Sequence, residues 1–266
     1  MRVNKCFREF ASRRQSDKLV EDGRVTVNGA RAENGQLVFT GDKVCLDGAP
    51  VDWEALQVDL PPAPGGGKDK EAVLESKFVY YAYHKPPGVT CTLDERVAGN
   101  LVQALGARVR GRVFSVGRLD RDSSGLLLLT SDGRVPNAVL RSARGHEKEY
   151  LVRTESRVSD ADMQRLAAGV VITTVAQRDG NRAAPLTAAT LPCRVVRGGG
   201  GPNTLRMTLT EGRNRQIRKM LGALGYTVLD LCRTRFIDVH LGRLAANEVR
   251  ELSEAEMECI RGAIRG

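Results

Sequence analysis

Between Leu60 and Ser76 the chain reads LPPAPGGGKDKEAVLES and has little from which to build a core. Proline stiffens this stretch, successive glycines free it, and no apolar residue recurs at a strand or helix period. It is therefore expected to be a linker over 60–76. That assignment divides the rest. Residues 1–59 are left as a small module, and 77–266 as a domain long enough to bury its own core. No repeat of solenoid length occurs on either side.

Within the module, 16–22 reads as a short helix stopped by Gly23, and 24–29 as a strand running into an Asn28-Gly29 turn. Residues 36–39 and 43–48 continue as strands. The longer part opens with 78–83, a β-rich run halted by Lys85-Pro86-Pro87-Gly88. Leucines at 126–129 fit a buried strand, and 150–152, 205–209 and 228–231 fit others. Helices are expected over 160–168 and over 214–224, the latter through Ile217, Met220, Leu221 and Leu224. The glycines at 198–201 lack the Gly-Lys-Ser/Thr ending of a phosphate loop and read as a hairpin tip. Strands dominate with few helices between them, which predicts the α+β class.

No apolar run approaches the roughly 18 residues that cross a membrane, and MRVNKCFREF has no apolar signal core. A cytoplasmic monomer is expected, with an organellar or nuclear location left open. Six cysteines form no CxxC pair and three histidines give no zinc-ligand spacing, so no metal site is expected. The formal charge of +9 suggests a polyanionic partner. Its distribution says more. Residues 108–121 hold five arginines against one aspartate, and 201–250 hold nine Lys/Arg against four acids. Clusters of this kind suit phosphate contacts and counterion release.

Gly117-Arg118-Leu119-Asp120-Arg121-Asp122-Ser123-Ser124-Gly125 sets charge and glycine directly before the apolar 126–129. Function often sits on a loop held by a rigid strand, which makes Asp120 a candidate catalytic carboxylate. On spacing alone, an Arg-Asp surface turn ending in a Ser-Gly break explains the same residues equally well. A two-carboxylate glycosidase would use Asp120 and Asp122 together. Alternate positions on an extended segment point apart, so Asp122 is expected to cap the turn instead.

The loop does not stand alone. GRLDRDSSGLLLLTSDG resembles the catalytic motif of the RNA pseudouridine synthases of the RsuA/RluB/RluE/RluF group. AYHKPPGV at 82–89, HEKEYLV at 146–152 and EGRNRQIRKM at 211–220 are similar to three further motifs of that group, in the same order. HEKEYLV with KPPGVTCT looks closest to the RluF-like branch. ASRRQSDKLVEDGRVTVNG resembles an S4-type RNA-binding domain, shortened between Lys5 and Ser12, which implies a clipped first helix. The implied architecture is an S4-like module joined to a catalytic domain. That domain would have a mixed, mostly antiparallel β-sheet, bisected by a basic cleft and flanked by helices.

The resemblance also implies a reaction, the isomerisation of uridine to pseudouridine. Large-subunit ribosomal RNA is the expected target, with small-subunit rRNA or tRNA as alternatives. The base must leave the RNA stack to be reached, at a cost of a few kcal/mol. Asp120 is then the ionised catalytic carboxylate, and Tyr150 stacks on the flipped uracil. Ile217 forms an apolar wall, and Arg118 enters the space the base leaves. Arg218 is expected to pair with Asp120 through its planar fork, keeping that carboxylate charged. RNA contacts are expected from Arg13, Arg14, Lys18 and Arg24 in the module, and from Asn214, Arg215 and Gln216 in the second part. No step calls for an electron sink or a metal, so no cofactor is expected. The rival reading is an RNA-binding assembly factor that keeps the fold without the activity. The presence of Asp120, Tyr150 and Arg218 counts against it.

Overall fold

The computed structural model describes residues 2–7, 10–11, 13–33, 36–53, 78–140, 145–174, 177–178, 181–182 and 185–265. The expected linker at 60–76 lies outside them. The chain divides into two compact units, Met1–Leu74 and Glu75–Gly266.

In the first unit a 3-10 turn (Val3–Phe7) and a helix (Arg13–Glu21) accompany β1 (Val25–Val27), β2 (Ala30–Arg31), β3 (Val44–Leu46) and β4 (Ala49–Pro50). The strands form an antiparallel sheet ordered β2-β1-β3-β4. Asn28-Gly29 and Asp47-Gly48 both place two residues at positive φ, 52° with 84° and 51° with 83°. This is the two-residue turn whose twist matches antiparallel strands. Val3, Phe7, Val20, Val25, Val44 and Trp53 close the core. The helix begins at Arg13, not 16, and the described residues of the shortened stretch before it include a 3-10 turn. The strand expected at 36–39 does not form. Leu37 makes a single bridge to Arg2, and Leu37 and Phe39 are exposed, so no second strand covers that run.

The second unit is built on β5 (Tyr80–Lys85), β6 (Phe114–Val116), β7 (Ser124–Thr130), β8 (Lys148–Thr154), β9 (Val171–Thr174), β10 (Gln177–Arg178), β11 (Asn181–Arg182), β12 (Leu186–Ala189), β13 (Arg194–Arg197), β14 (Thr204–Leu209), β15 (Val228–Phe236), β16 (Val239–His240) and β17 (Val249–Glu251). Nine of these make one mixed sheet in the order β13-β14-β8-β15-β7-β5-β17, with β6 on β7 and β16 on β15. β9 pairs with β12, and β10 with β11, as separate ladders. Within the large sheet the pairings are antiparallel except β7 with β15. These two meet over just two pairs, Ser124 with Cys232 and Gly125 with Arg233. The sheet is bisected at that short parallel seam.

β7 shows why the leucine run is unbroken. Leu126 and Leu128 pack among Val135, Val139, Phe236 and Ile260, under the helices Arg134–Leu140 and Glu254–Arg265. Leu127 and Leu129 face the other way, into Tyr81, Tyr83, Leu101 and Leu119. A strand buried on both faces needs apolar residues at every position. On the far side of the seam, Val152, Leu205, Met207 and Leu231 pack against Leu166 and Ile217 from the helices Asp160–Ala168 and Gln216–Ala223. No helix among the described residues is long and apolar enough to cross a membrane.

Candidate active site

The loop carrying Asp120 is clamped from below by a lysine. Lys85 is fully buried at the end of β5, and its ammonium donates to the carbonyls of Ser123 (2.7 Å), Pro86 (2.8 Å) and Arg121 (3.5 Å). Burial pushes its pKa below the usual lysine range. Gly88 donates its N–H to the Arg121 carbonyl at 2.7 Å, and Arg121 Nε returns a bond to Gly88 O at 3.1 Å. Ser123 N closes a tight turn on Asp120 O at 3.1 Å. The KPPG tip and the GRLDRDSSG loop are therefore one hydrogen-bonded structure. The turn also corrects an expectation, because Asp120 and Asp122 do not point apart. Both carboxylates converge on Arg215, which takes Asp122 through two bonds (2.9 and 2.8 Å) and approaches Asp120 Oδ2 at 3.6 Å. The bidentate contact holds Asp122 below the usual carboxylate range.

Arg215 precedes the helix Gln216–Ala223 in the left-handed conformation, φ 51° and ψ 36°, a strained backbone for a side chain of this size. That conformation turns its guanidinium away from the helix and toward the loop. Arg218, expected to be the partner of Asp120, does something else. It donates to Val228 O (2.9 Å) and Asp122 O (3.1 Å) and lies 3.3 Å from the Asp122 carboxylate. Its place in the first helical turn sets it against β15 and the back of the loop. The expectation for Gln216 also changes. Its side chain is buried, receiving Arg213 N at 3.0 Å and donating to Glu211 at 2.7 Å, so it braces the segment from within. Asn214 and Arg215 remain exposed.

These elements enclose a cavity of about 540 Å³ at the seam of the sheet. Asp120, Arg118, Tyr150, Ile217, Asn214 and Arg215 all line it. Tyr150 packs partly against two apolar clusters, the one holding Leu119 and the one holding Ile217. In the first unit Lys18 is exposed on its helix. Arg24 sits just before β1, paired with Asp47, with Nε 2.9 Å from Oδ1. The side chains of Arg13 and Arg14 lie outside the described residues.

A family model for RNA pseudouridylate synthases matches residues 79–223, more than half the chain, and a model for S4 domains matches residues 6–44. The chain belongs to the RNA pseudouridine synthases. The synthase is 34% identical to the dual-specificity RNA pseudouridine synthase RluF of Salmonella typhi, over 96% of this chain and 77% of that one. It is 32% identical to the ribosomal large subunit pseudouridine synthase B of Yersinia pestis, over 94% and 74%. A crystal structure of a pseudouridylate synthase matches with a TM-score of 0.61 at 24% identity, covering 98% of this chain and 99% of that one. That last likeness bears on the fold alone.

The synthase cavity also holds residues that the sequence reading missed. Lys148 and Arg233 line it. Lys148 Nζ lies 5.4 Å over the Phe236 ring and donates to His146 O at 3.1 Å. Burial, with the nearby Arg233 charge, pushes the Lys148 pKa down to about 8. Arg233 is nearly fully buried, donates through Nε to Leu126 O at 2.8 Å and lies 5.0 Å over the same ring. The signal for Lys148 was the HEKEYLV motif, from which only the tyrosine was given a role. For Arg233 there was only the general excess of base over 201–250.

Proposed function

We propose that the synthase isomerises a specific uridine of large-subunit ribosomal RNA, flipping the base into the cavity at the sheet seam and acting through the Asp120 carboxylate. The observation that carries this reading is the meeting of Asp120, Tyr150 and Ile217 on one cavity, with the arginines 118 and 215 at its edge. Its size falls within the roughly 300–1,000 Å³ of small-ligand clefts, so it has room for a nucleoside. An extruded uracil would lie on the Tyr150 ring with Ile217 as its apolar wall, and Arg118 would fill the stack. Arg215 is a cation that faces Asp120 at 3.6 Å. Arg218 would brace the loop through Asp122 and meet the backbone of the RNA. The likeness to a ribosomal large subunit pseudouridine synthase supports large-subunit ribosomal RNA.

Residues 1–59 would act as a separate grip, with Arg13, Arg14, Lys18 and Arg24 toward phosphate, linked through 60–76 to the catalytic part. The test is a carbodiimide map of pseudouridines in a strain lacking this chain, complemented with wild type or Asp120→Asn. One site in large-subunit rRNA should disappear, return with wild type and stay absent with the amide. Restoration by Asp120→Asn would remove Asp120 from the chemistry. A missing site confined to small-subunit rRNA or tRNA would reassign the substrate.

A further inference from the structure

Two buried polar atoms in residues that line the cavity, Arg233 Nη2 and Ser123 Oγ, have no hydrogen-bond partner among the described residues. Arg233 is 3% and Ser123 1% exposed, and both residues line the cavity that holds Asp120 and Tyr150. Orphaned buried donors are rare in folded proteins because each forfeits its hydration without replacement. Their positions are not accidental to the fold. Arg233 sits directly across from Tyr150 on the neighbouring strand, so the two side chains leave the same face of the sheet side by side. Its partner on the other side is Gly125, two residues after Ser123. Nε on Leu126 O and the ring of Phe236 fix the guanidinium, leaving Nη2 as the free end of a rigid group.

We propose that Arg233 Nη2 and Ser123 Oγ form the seat for the uracil carbonyls and hold the base after it has left the sugar. The inference rests on the reading that the target base enters this cavity and stacks on Tyr150. Chemistry favours uracil in particular. When the N1–C1′ bond breaks, its electron pair stays with the base, and the negative charge spreads onto O2 and O4. The base turns about its N3–C6 axis, which exchanges N1 with C5 and also O2 with O4. C5 then bonds to C1′ and gives up its hydrogen as a proton, while N1 takes one up. The atoms balance without an oxidant or reductant. Because the turn replaces one carbonyl with the other, a fixed pair of donors serves the base in both orientations. Cytosine would bring its N4 amine, a donor, to a seat that needs an acceptor. The placement also suits the charge, since preorganised donors act most strongly where charge develops away from water. Lys148, over the same Phe236 ring, adds a second cation to this side of the cavity, and the proximity of Arg233 helps lower its pKa.

The experiment measures single-turnover rates on a synthetic stem-loop cut from an rRNA that the wild-type enzyme modifies. The target position carries uridine, 2-thiouridine or 4-thiouridine, and the proteins are wild type, Ser123→Ala and Arg233→Lys. Sulfur accepts hydrogen bonds poorly, and exchanging it leaves the protein untouched. Wild type should slow with either thio base, because both carbonyls use the seat in turn. Arg233→Lys should lose about a hundred-fold in rate on uridine, the low end for one preorganised donor, with RNA affinity kept. The thio penalty should shrink in both variants, which is the coupling expected of groups in contact. Ser123→Ala removes a hydroxyl that bonds nothing in the free protein, so its fold is safe if Arg233→Lys proves unstable. Equal thio penalties in wild type and Ser123→Ala, or in wild type and a folded Arg233→Lys, would overturn the seat. A wild-type enzyme that forms no pseudouridine in any rRNA would instead overturn the reading beneath it.

Discussion

Arg215 stands between two carboxylates and binds them unequally, at 2.8 Å for Asp122 and 3.6 Å for Asp120. The tighter partner fixes the arginine, and on the proposed reading the looser one keeps room for a substrate against its oxygens. A short sequence motif cannot reveal this division, because it depends on the tight turn at 120–123 and on the left-handed backbone of Arg215. The motifs singled out Asp120, Tyr150 and Ile217, and the fold gathers them on one cavity. Gln216 lines the same cavity with its amide bonded to Arg213 N and Glu211, a bracing that the letters alone do not show. Lys148 gives this scale its prediction. Its pKa is near 8 in the fold against 10.5 in a free chain. Between these values the folded protein has released a proton that the unfolded chain retains, so unfolding takes up a proton and stability rises with pH. Below that window both states are protonated, and the buried charge destabilises in full. Lys148→Met lacks the effect. Stability measured by urea at pH about 7.5 and about 10 should therefore show wild type gaining on Lys148→Met as pH rises. A constant gap between the two would mean that this ammonium is as well solvated in the fold as out of it.

At the level of strands and helices, periodicity worked where an element is long and one environment holds along it. The helix Asp160–Ala168 has the expected bounds, and β7 and β14 extend the expected cores by one or two residues. β15 runs to Phe236, past the apolar 228–231, because β8 pairs with it as far as Lys148. Polar residues such as Arg233 and Arg235 extend it without an apolar signature. The helices Arg134–Leu140 and Glu254–Arg265 were not foreseen, since the first is short and the second mixes charge into its apolar stripe. The seam itself could not be read from sequence, as a parallel pair separated by more than a hundred residues leaves no local mark. It does leave one requirement. At Gly125 φ is +104°, and a Cβ there would lie 2.3 Å from the carbonyl oxygen of Arg233. Gly125→Ala must therefore part β7 from β15 or distort both. The backbone strain alone is worth about 1–3 kcal/mol, and the steric clash adds to it. Urea unfolding should show a midpoint well below wild type, and Gly133→Ala, where a Cβ meets nothing within 4 Å, serves as the control. Equal midpoints would show that the two strands separate at that point in solution.

Across the whole molecule the charge is divided in a way that the net value hides. Residues 1–74 hold 11 Lys/Arg against 12 Asp/Glu, while 75–266 hold 30 against 20. The first unit is thus not a basic body, and the excess that suits a polyanion belongs to the catalytic unit. On the proposed reading, any grip by the first unit comes from a few cations, Arg13, Arg14 and Lys18 on the helix, with Arg24 shared with Asp47. Affinity and salt dependence should therefore separate when the unit is removed. Each phosphate contact contributes about 0.7–0.9 to the slope of log affinity against log salt, so three side chains account for about 2 to 3. Deleting residues 1–74 should weaken RNA binding and lower the slope by no more than that. The larger part of the salt dependence should stay with the catalytic unit, and turnover at saturating RNA should survive, since among the described residues all that line the cavity lie beyond Leu74. Binding isotherms across a salt series, for the full chain and the deletion, decide the matter. If most of the slope vanished with the first unit, its few cations would outweigh the ten surplus cations of the second. Phosphate attraction would then have to be assigned to the first unit despite its balanced charge.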